Sequence, residues 1–174
     1  QLLDDSIDAV FADIADDVIG VTTYDATNGE WYIYTPDGDD TNDNLHEMLP
    51  GWGYWVLMRN DTDLVIGGSM MRPGILPPYK PVKMGWNLIG YYGADGLISY
   101  NGPVGAGGTA ECKLSSIGAD VFDIGFSSLW TYWEPVNPDP WFDLSESDRM
   151  DPGAGYWVFA NQDGIYAPVT TCDV

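Results

Sequence analysis

The sequence predicts an all-β protein, a sandwich or partly open barrel with one or two short helices, built from two tandem copies of one module. Three observations predict it. The phrase PGWGYWV at 50–56 returns as PGAGYWV at 152–158, with six of the seven positions identical. Short runs rich in Val, Ile, Tyr and Trp recur between Gly, Asn, Asp and Pro clusters, the pattern of strands and turns. Aromatic residues make up 14% of the chain, including 8 Trp and 11 Tyr, enough to fill β-sheet faces.

The duplication extends beyond the heptapeptide. Residues 21–34, VTTYDATNGEWYIY, align with LWTYWEPVNPDPWFDL at 129–144, so that Tyr24 pairs with Tyr132 and Trp31 with Trp141. Residues 6–14 resemble 115–124, and Met48 pairs with Met150. Copy one has the longer loop before its PGWGYWV. The expected division is 1–68 for copy one, 69–84 for a linker and 85–174 for copy two. The linker carries PGILPPYKP and reads as extended and semi-rigid. Copy two opens on GWNLIGYY, a glycine-bounded apolar run; the matching strand of copy one is absent from the sequence.

Each element has its own local reason. In copy one, GVTTYD and EWYIYT flank ATNG, where Asn28-Gly29 suits the positive φ of a tight hairpin. In copy two, LWTYW and WFDLS flank the Pro-stiffened EPVNPDP. The segments GYWVLMRN and LVIGG flank DTD, and GYWVFAN and IYAPV flank QDG, so each copy is expected to close on a hairpin. One stretch carries helical periodicity: Ile7, Val10, Phe11 and Ile14 form an apolar stripe over 5–15, and Asp4 or Asp5 is placed to cap it.

GWNLIG opening a unit and PGxGYWV near its end resemble a module of secreted and cell-surface proteins of archaea and bacteria, surface-layer-like or adhesin-like. The resemblance covers 85–169 well and 6–66 in part. It implies an extracellular β-rich module and supplies no active site.

Composition limits the functions. There are 27 acidic residues against 6 basic ones, a net charge of -21, which repels nucleic acid and anionic membrane surfaces. Such a charge suits a solvated surface, cation binding or high salt. Four of the cations, Arg59, Arg72, Lys80 and Lys83, cluster around the linker, making that junction less negative. No run approaches the roughly 18 apolar residues of a membrane span. The start, QLLDDSIDAV, shows no signal-peptide pattern. His46 is the sole histidine, and GxSxG, HExxH and phosphate-cradling motifs are absent from the sequence, so no catalytic residues are assigned.

Four kinds of site remain candidates. Cys112 and Cys172 lie in no CxxC context, and the favoured reading is one extracellular disulfide, stabilising by roughly 4 kcal/mol on the chain-entropy model; the alternative is two buried thiols. Trp52, Trp133 and Trp141 sit at turns or strand ends and are candidates for stacking on polysaccharide. The acidic loop 37–44 offers Asp37, Asp39, Asp40 and Asp43 as oxygen ligands for Ca2+, without the Gly and Glu of an EF-hand. PGxGYWV is read as turn and strand scaffold, with a ligand platform as the alternative; Trp52, which is Ala154 in copy two, is expected to be exposed. The functional expectation is a non-catalytic structural or adhesive module of a cell surface, surface layer or filament, with carbohydrate binding and a calcium-stabilised adhesin as alternatives. Its expected partners are neighbouring subunits or an upstream domain that completes copy one.

Overall fold

The computed structural model describes residues 4–36, 43–67, 79–91, 126–132, 139–144 and 153–166. Those residues form an all-β fold with one short α-helix. The chain order is α1 (Ile7–Phe11), a 3-10 helix (Ala12–Asp17), β1 (Val18–Asp25), β2 (Glu30–Tyr34), β3 (Trp55–Met58), β4 (Lys80–Val82), β5 (Gly85–Gly90), β6 (Phe126–Tyr132), β7 (Trp141–Asp143), β8 (Gly155–Ala160) and β9 (Gly164–Tyr166). They make three antiparallel sheets: β2-β1-β3, β5-β8-β6-β7 and β4-β9.

The helix is shorter than its periodicity predicts. Ile7 and Phe11 are buried, as the apolar stripe requires, but at Ile14 the backbone leaves helical geometry (φ -129°) and the remainder is 3-10. Ala12, Asp13, Ala15 and Asp16 are exposed there, so little packing holds a longer α-helix together. Ser6, not Asp4 or Asp5, takes the N-cap position and makes no side-chain cap bond. Asp4 Oδ1 instead accepts the Ser6 N–H (3.0 Å) and hydroxyl (2.8 Å), and these bonds hold the Asp4 carboxyl below its ordinary value.

The β1–β2 hairpin follows its local chemistry. Gly29 takes φ 71° in the ATNG turn. Asp25 organises that turn, its carboxylate accepting the Thr27 N–H (2.8 Å) and the Asn28 side-chain amide (2.9 Å). The closing hairpins do not form as expected. Residues 61–67 adopt no strand, and β9 pairs with β4 instead of folding back on β8. Lys80–Val82, inside the stretch expected as a connector, is therefore a strand.

The first and second sheets agree in order and register. Tyr24 faces Trp31 across β1–β2, and Tyr132 faces Trp141 across β6–β7. Val21 faces Val56 across β1–β3, as Leu129 faces Val158 across β6–β8. Each long strand slips register near its start, between Val18 and Gly20 and between Phe126 and Ser128. Thr23 donates its hydroxyl to Gly53 O (2.6 Å) and Thr131 donates to Gly155 O (3.0 Å). In both PGxG turns the first glycine has positive φ, Gly51 at 83° and Gly153 at 82°, where a Cβ is strained.

Two apolar clusters make the core. One joins Ile7, Phe11, Val18, Val21, Leu45 and Met48; the other joins Val82, Ile89, Tyr91, Leu129, Tyr156, Val158 and Tyr166. Each fully buried aliphatic or aromatic side chain contributes about 1.5–3 kcal/mol. Strand alternation sorts the GYWV letters: Tyr156 and Val158 enter the core, while Trp157 takes the opposite face.

Candidate aromatic binding cleft

That opposite face is aromatic, and it faces the other half of the molecule. Trp157 on β8 lies 5.9 Å from Tyr24 and 6.0 Å from Trp31, which are themselves 5.3 Å apart. The reciprocal triangle has Trp55 of β3 packed on Tyr132 (5.1 Å) and Trp141 (5.6 Å). Each half thus lends one GYWV tryptophan to the Tyr–Trp pair of the other. The ring planes are tilted or edge-on, the arrangements their quadrupoles favour, with about 0.5–1.5 kcal/mol per pair beyond area burial.

Between the halves these rings leave a cleft of about 810 Å³, lined by Tyr24, Trp31, Trp86, Trp130, Trp141, Trp157 and Asp139. Trp130 reaches it from β6, directly opposite Trp157. Trp86 comes from β5, edge-on to Trp157 at 6.5 Å and to Phe159 at 5.3 Å. Trp31, Trp86 and Trp141 remain 47%, 44% and 39% exposed, so the cleft presents aromatic surface to solvent instead of sealing it. Asp139 is exposed, and its Oδ1 accepts the Trp141 N–H at 3.2 Å. Chemically the cleft offers flat apolar faces and one carboxylate acceptor, a combination suited to a ring-bearing, hydroxylated ligand. Its volume lies within the roughly 300–1,000 Å³ of small-molecule sites.

Trp141 is thus the one predicted stacking residue that the structure places in this cleft. Trp52 is a correction. It is half-buried and is not a free surface ring: it pairs with Ile89 in an isolated β-bridge, and the Lys80 ammonium sits 3.9 Å above its face. Trp52 joins the two halves. Gly90 donates to Gly51 O (3.0 Å) and Gly53 donates to Leu88 O (3.5 Å) at the same joint. A Cβ on Gly53 meets Ile89 O at 2.6 Å, so this glycine answers a close backbone approach. Trp133 lies outside the described residues.

Lys80 is the residue that sequence reasoning missed. It is fully buried, and its Nζ donates to Tyr24 O (3.2 Å) in the first sheet and to Leu88 O (2.5 Å) in the second. Burial pushes its amine down to about 7, against the pull of the Asp25 carboxylate. Burial also pushes the Tyr54 phenol up, although its oxygen accepts the Leu49 N–H at 2.7 Å.

Of the proposed calcium ligands, Asp37, Asp39 and Asp40 lie outside the described residues. Asp43 is described, and its Oδ2 accepts the Thr35 N–H at 3.0 Å. Among the described residues no group of three or more His, Cys, Asp or Glu side chains is placed to hold a metal ion. Cys112 and Cys172 also lie outside the described residues. His46 is exposed, and its backbone carbonyl accepts the Ile7 N–H at 2.9 Å. No helix among the described residues is long and apolar enough to cross a membrane.

No family model, curated protein or solved structure matches the chain. The class that fold and cleft define is an all-β chain with an aromatic, solvent-open cleft between two sheets of matching register.

Proposed function

We propose that the chain is a non-catalytic, extracellular adhesive module that attaches a cell-surface assembly to a neutral saccharide through its aromatic cleft. The observation that carries this reading is the exposure of Trp31, Trp86 and Trp141 around one cleft. Large rings left 39–47% exposed at a shared concavity have a use for that surface, because folding alone favours burying them. Sugar rings present axial C–H faces to such aromatics and hydroxyls to an acceptor such as Asp139. The net charge of -21 disfavours anionic glycans, so the ligand class is neutral.

The test is a titration of the chain with neutral and acidic oligosaccharides while tryptophan fluorescence is followed. Saturable quenching by a neutral glycan, lost in Trp31→Ala, is expected. A flat response across a panel of neutral glycans refutes saccharide binding and leaves the cleft as packing between the halves.

A further inference from the structure

The two sheets differ at one edge. In the second sheet β8 lies between β6 and β5, but in the first sheet β3, its match in register, is terminal among the described residues. Trp86 of β5 stands opposite Phe159 of β8 and covers it. Leu57 holds the corresponding place on β3 and is 62% exposed. Beyond β8 the chain continues into β9, which β4 covers, leaving Tyr166 fully buried. Beyond β3 it continues through 64–66, where Val65 is 82% and Ile66 53% exposed. One continuous segment, 80–90, thus covers both places in one half. Among the described residues nothing pairs with them in the other half.

We propose that the two halves are copies of one module, and that the outer edge of β3 with 64–66 accepts an extended segment of the residue pattern of 80–88, supplied by another polypeptide. The chain's own 80–90 segment is not available for this, because it is held by β8 and β9. The register of the second sheet sets the pairing. Gly85, Trp86, Asn87 and Leu88 stand opposite Ala160, Phe159, Val158 and Trp157. The incoming Gly-Trp-Asn-Leu therefore stands opposite Met58, Leu57, Val56 and Trp55. It stops there, because Gly53 already donates to Leu88 O. Its tryptophan covers Leu57 as Trp86 covers Phe159.

Charge favours the same occupant. Lys83 pairs with Asp163 (2.8 Å) in the loop after β8, and the loop after β3 presents Asp61 and Asp63, both exposed. The segment also shapes itself. The Asn87 amide donates to Lys83 O (2.7 Å) and Gly85 O (2.9 Å), and its Oδ1 accepts the Lys83 N–H (3.0 Å). A strand that carries its own turn loses less entropy on adding to an edge. An exposed apolar edge without such a partner invites unselective pairing.

The probe is a fluorescein-labelled synthetic peptide of residues 79–90, titrated with the chain and read by anisotropy. One peptide is expected to bind per chain, with binding weakened at least tenfold by Leu57→Lys in the chain and by Asn87→Ala in the peptide. Leu57→Lys lies on an exposed site, and an unchanged far-UV circular dichroism spectrum shows that it folds. Binding that ignores both substitutions, or no binding, overturns the proposal. So does a concentration-dependent dimer that the peptide does not dissociate, which assigns the edge to a second copy. None of these outcomes bears on the saccharide reading, since Leu57 lies outside the cleft.

Discussion

Replacing Lys80 with Met tests how the two halves are joined. The substitution keeps the apolar stem and removes the amine that bridges Tyr24 O and Leu88 O beneath the Trp52 ring. The amine titrates near 7 in the folded chain and near 10.5 when unfolded. Between those values the unfolded chain holds a proton that the folded chain lacks. Unfolding then takes up a proton, so stability rises with pH through that window, by at most about 1.4 kcal/mol per pH unit for one site. Below about 7 both states are protonated and Lys80 contributes no slope; at those pH values the buried charge is at its most costly. At pH 9 the neutral amine still donates to both carbonyls, and losing those bonds costs about 1–3 kcal/mol. The stability of the wild-type chain relative to Lys80→Met is therefore expected to rise from about pH 7 to about pH 9 and to be lowest, and flat, towards about pH 6. Urea unfolding of both chains at intervals across this range measures the difference, and the tyrosines, common to both, cancel. A difference that does not change with pH refutes the reasoning, because it means that the amine keeps its ordinary affinity for protons inside the fold.

Three further outcomes follow from the geometry. Gly53→Ala is expected to cost about 1–3 kcal/mol, because its Cβ meets Ile89 O at 2.6 Å, whereas Gly155→Ala, with its nearest neighbour at 3.9 Å, is expected to change stability by less than about 1 kcal/mol; chemical denaturation of the pair measures the contrast. Asn87→Ala removes three hydrogen bonds from the turn between β4 and β5 and leaves the half-buried backbone groups of Lys83 and Gly85 without them, so thermal unfolding is expected to move down by several degrees, on the scale of about 2–4 °C per kcal/mol. Trp86→Ala, at the exposed rim of the cleft, is expected to weaken a neutral glycan about tenfold with little loss of stability, as read by fluorescence titration and a parallel melt.

Much of the local structure was legible in the residues. The turn at Asn28-Gly29, the strand GWNLIG and the alternation within GYWV all rest on neighbours in sequence, and each stands where those neighbours place it. The pairs Tyr24–Tyr132 and Trp31–Trp141, aligned as letters, occupy matching register positions. The site was less legible. The sequence marks Trp141 by its place at a strand end, yet its partners in the cleft come from five other strands, and no spacing along the chain brings Trp31, Trp86 and Trp157 together. The closing hairpins failed for a related reason: β9 finds its hydrogen bonds in β4, far away in sequence, instead of in adjacent β8.

Trp52 shows where the division falls. Its turn was written in the chain: Pro50 and Gly51 dictate a bend, and Gly51 takes the positive φ that only glycine adopts without strain. Whether its ring met solvent or protein was not written there. That depended on Ile89 pairing with its backbone and Lys80 reaching over its face, both from the other half of the molecule. Sequence by itself determined the β class, the Asn28-Gly29 and PGxG turns and the alternation within GYWV, because backbone sterics and side-chain alternation act over a few residues. Only the tertiary structure decided that the lone difference between the two heptapeptides is a joint and that their shared tryptophans, Trp55 and Trp157, each pack on a Tyr–Trp pair of the other half, because such contacts depend on which surfaces meet.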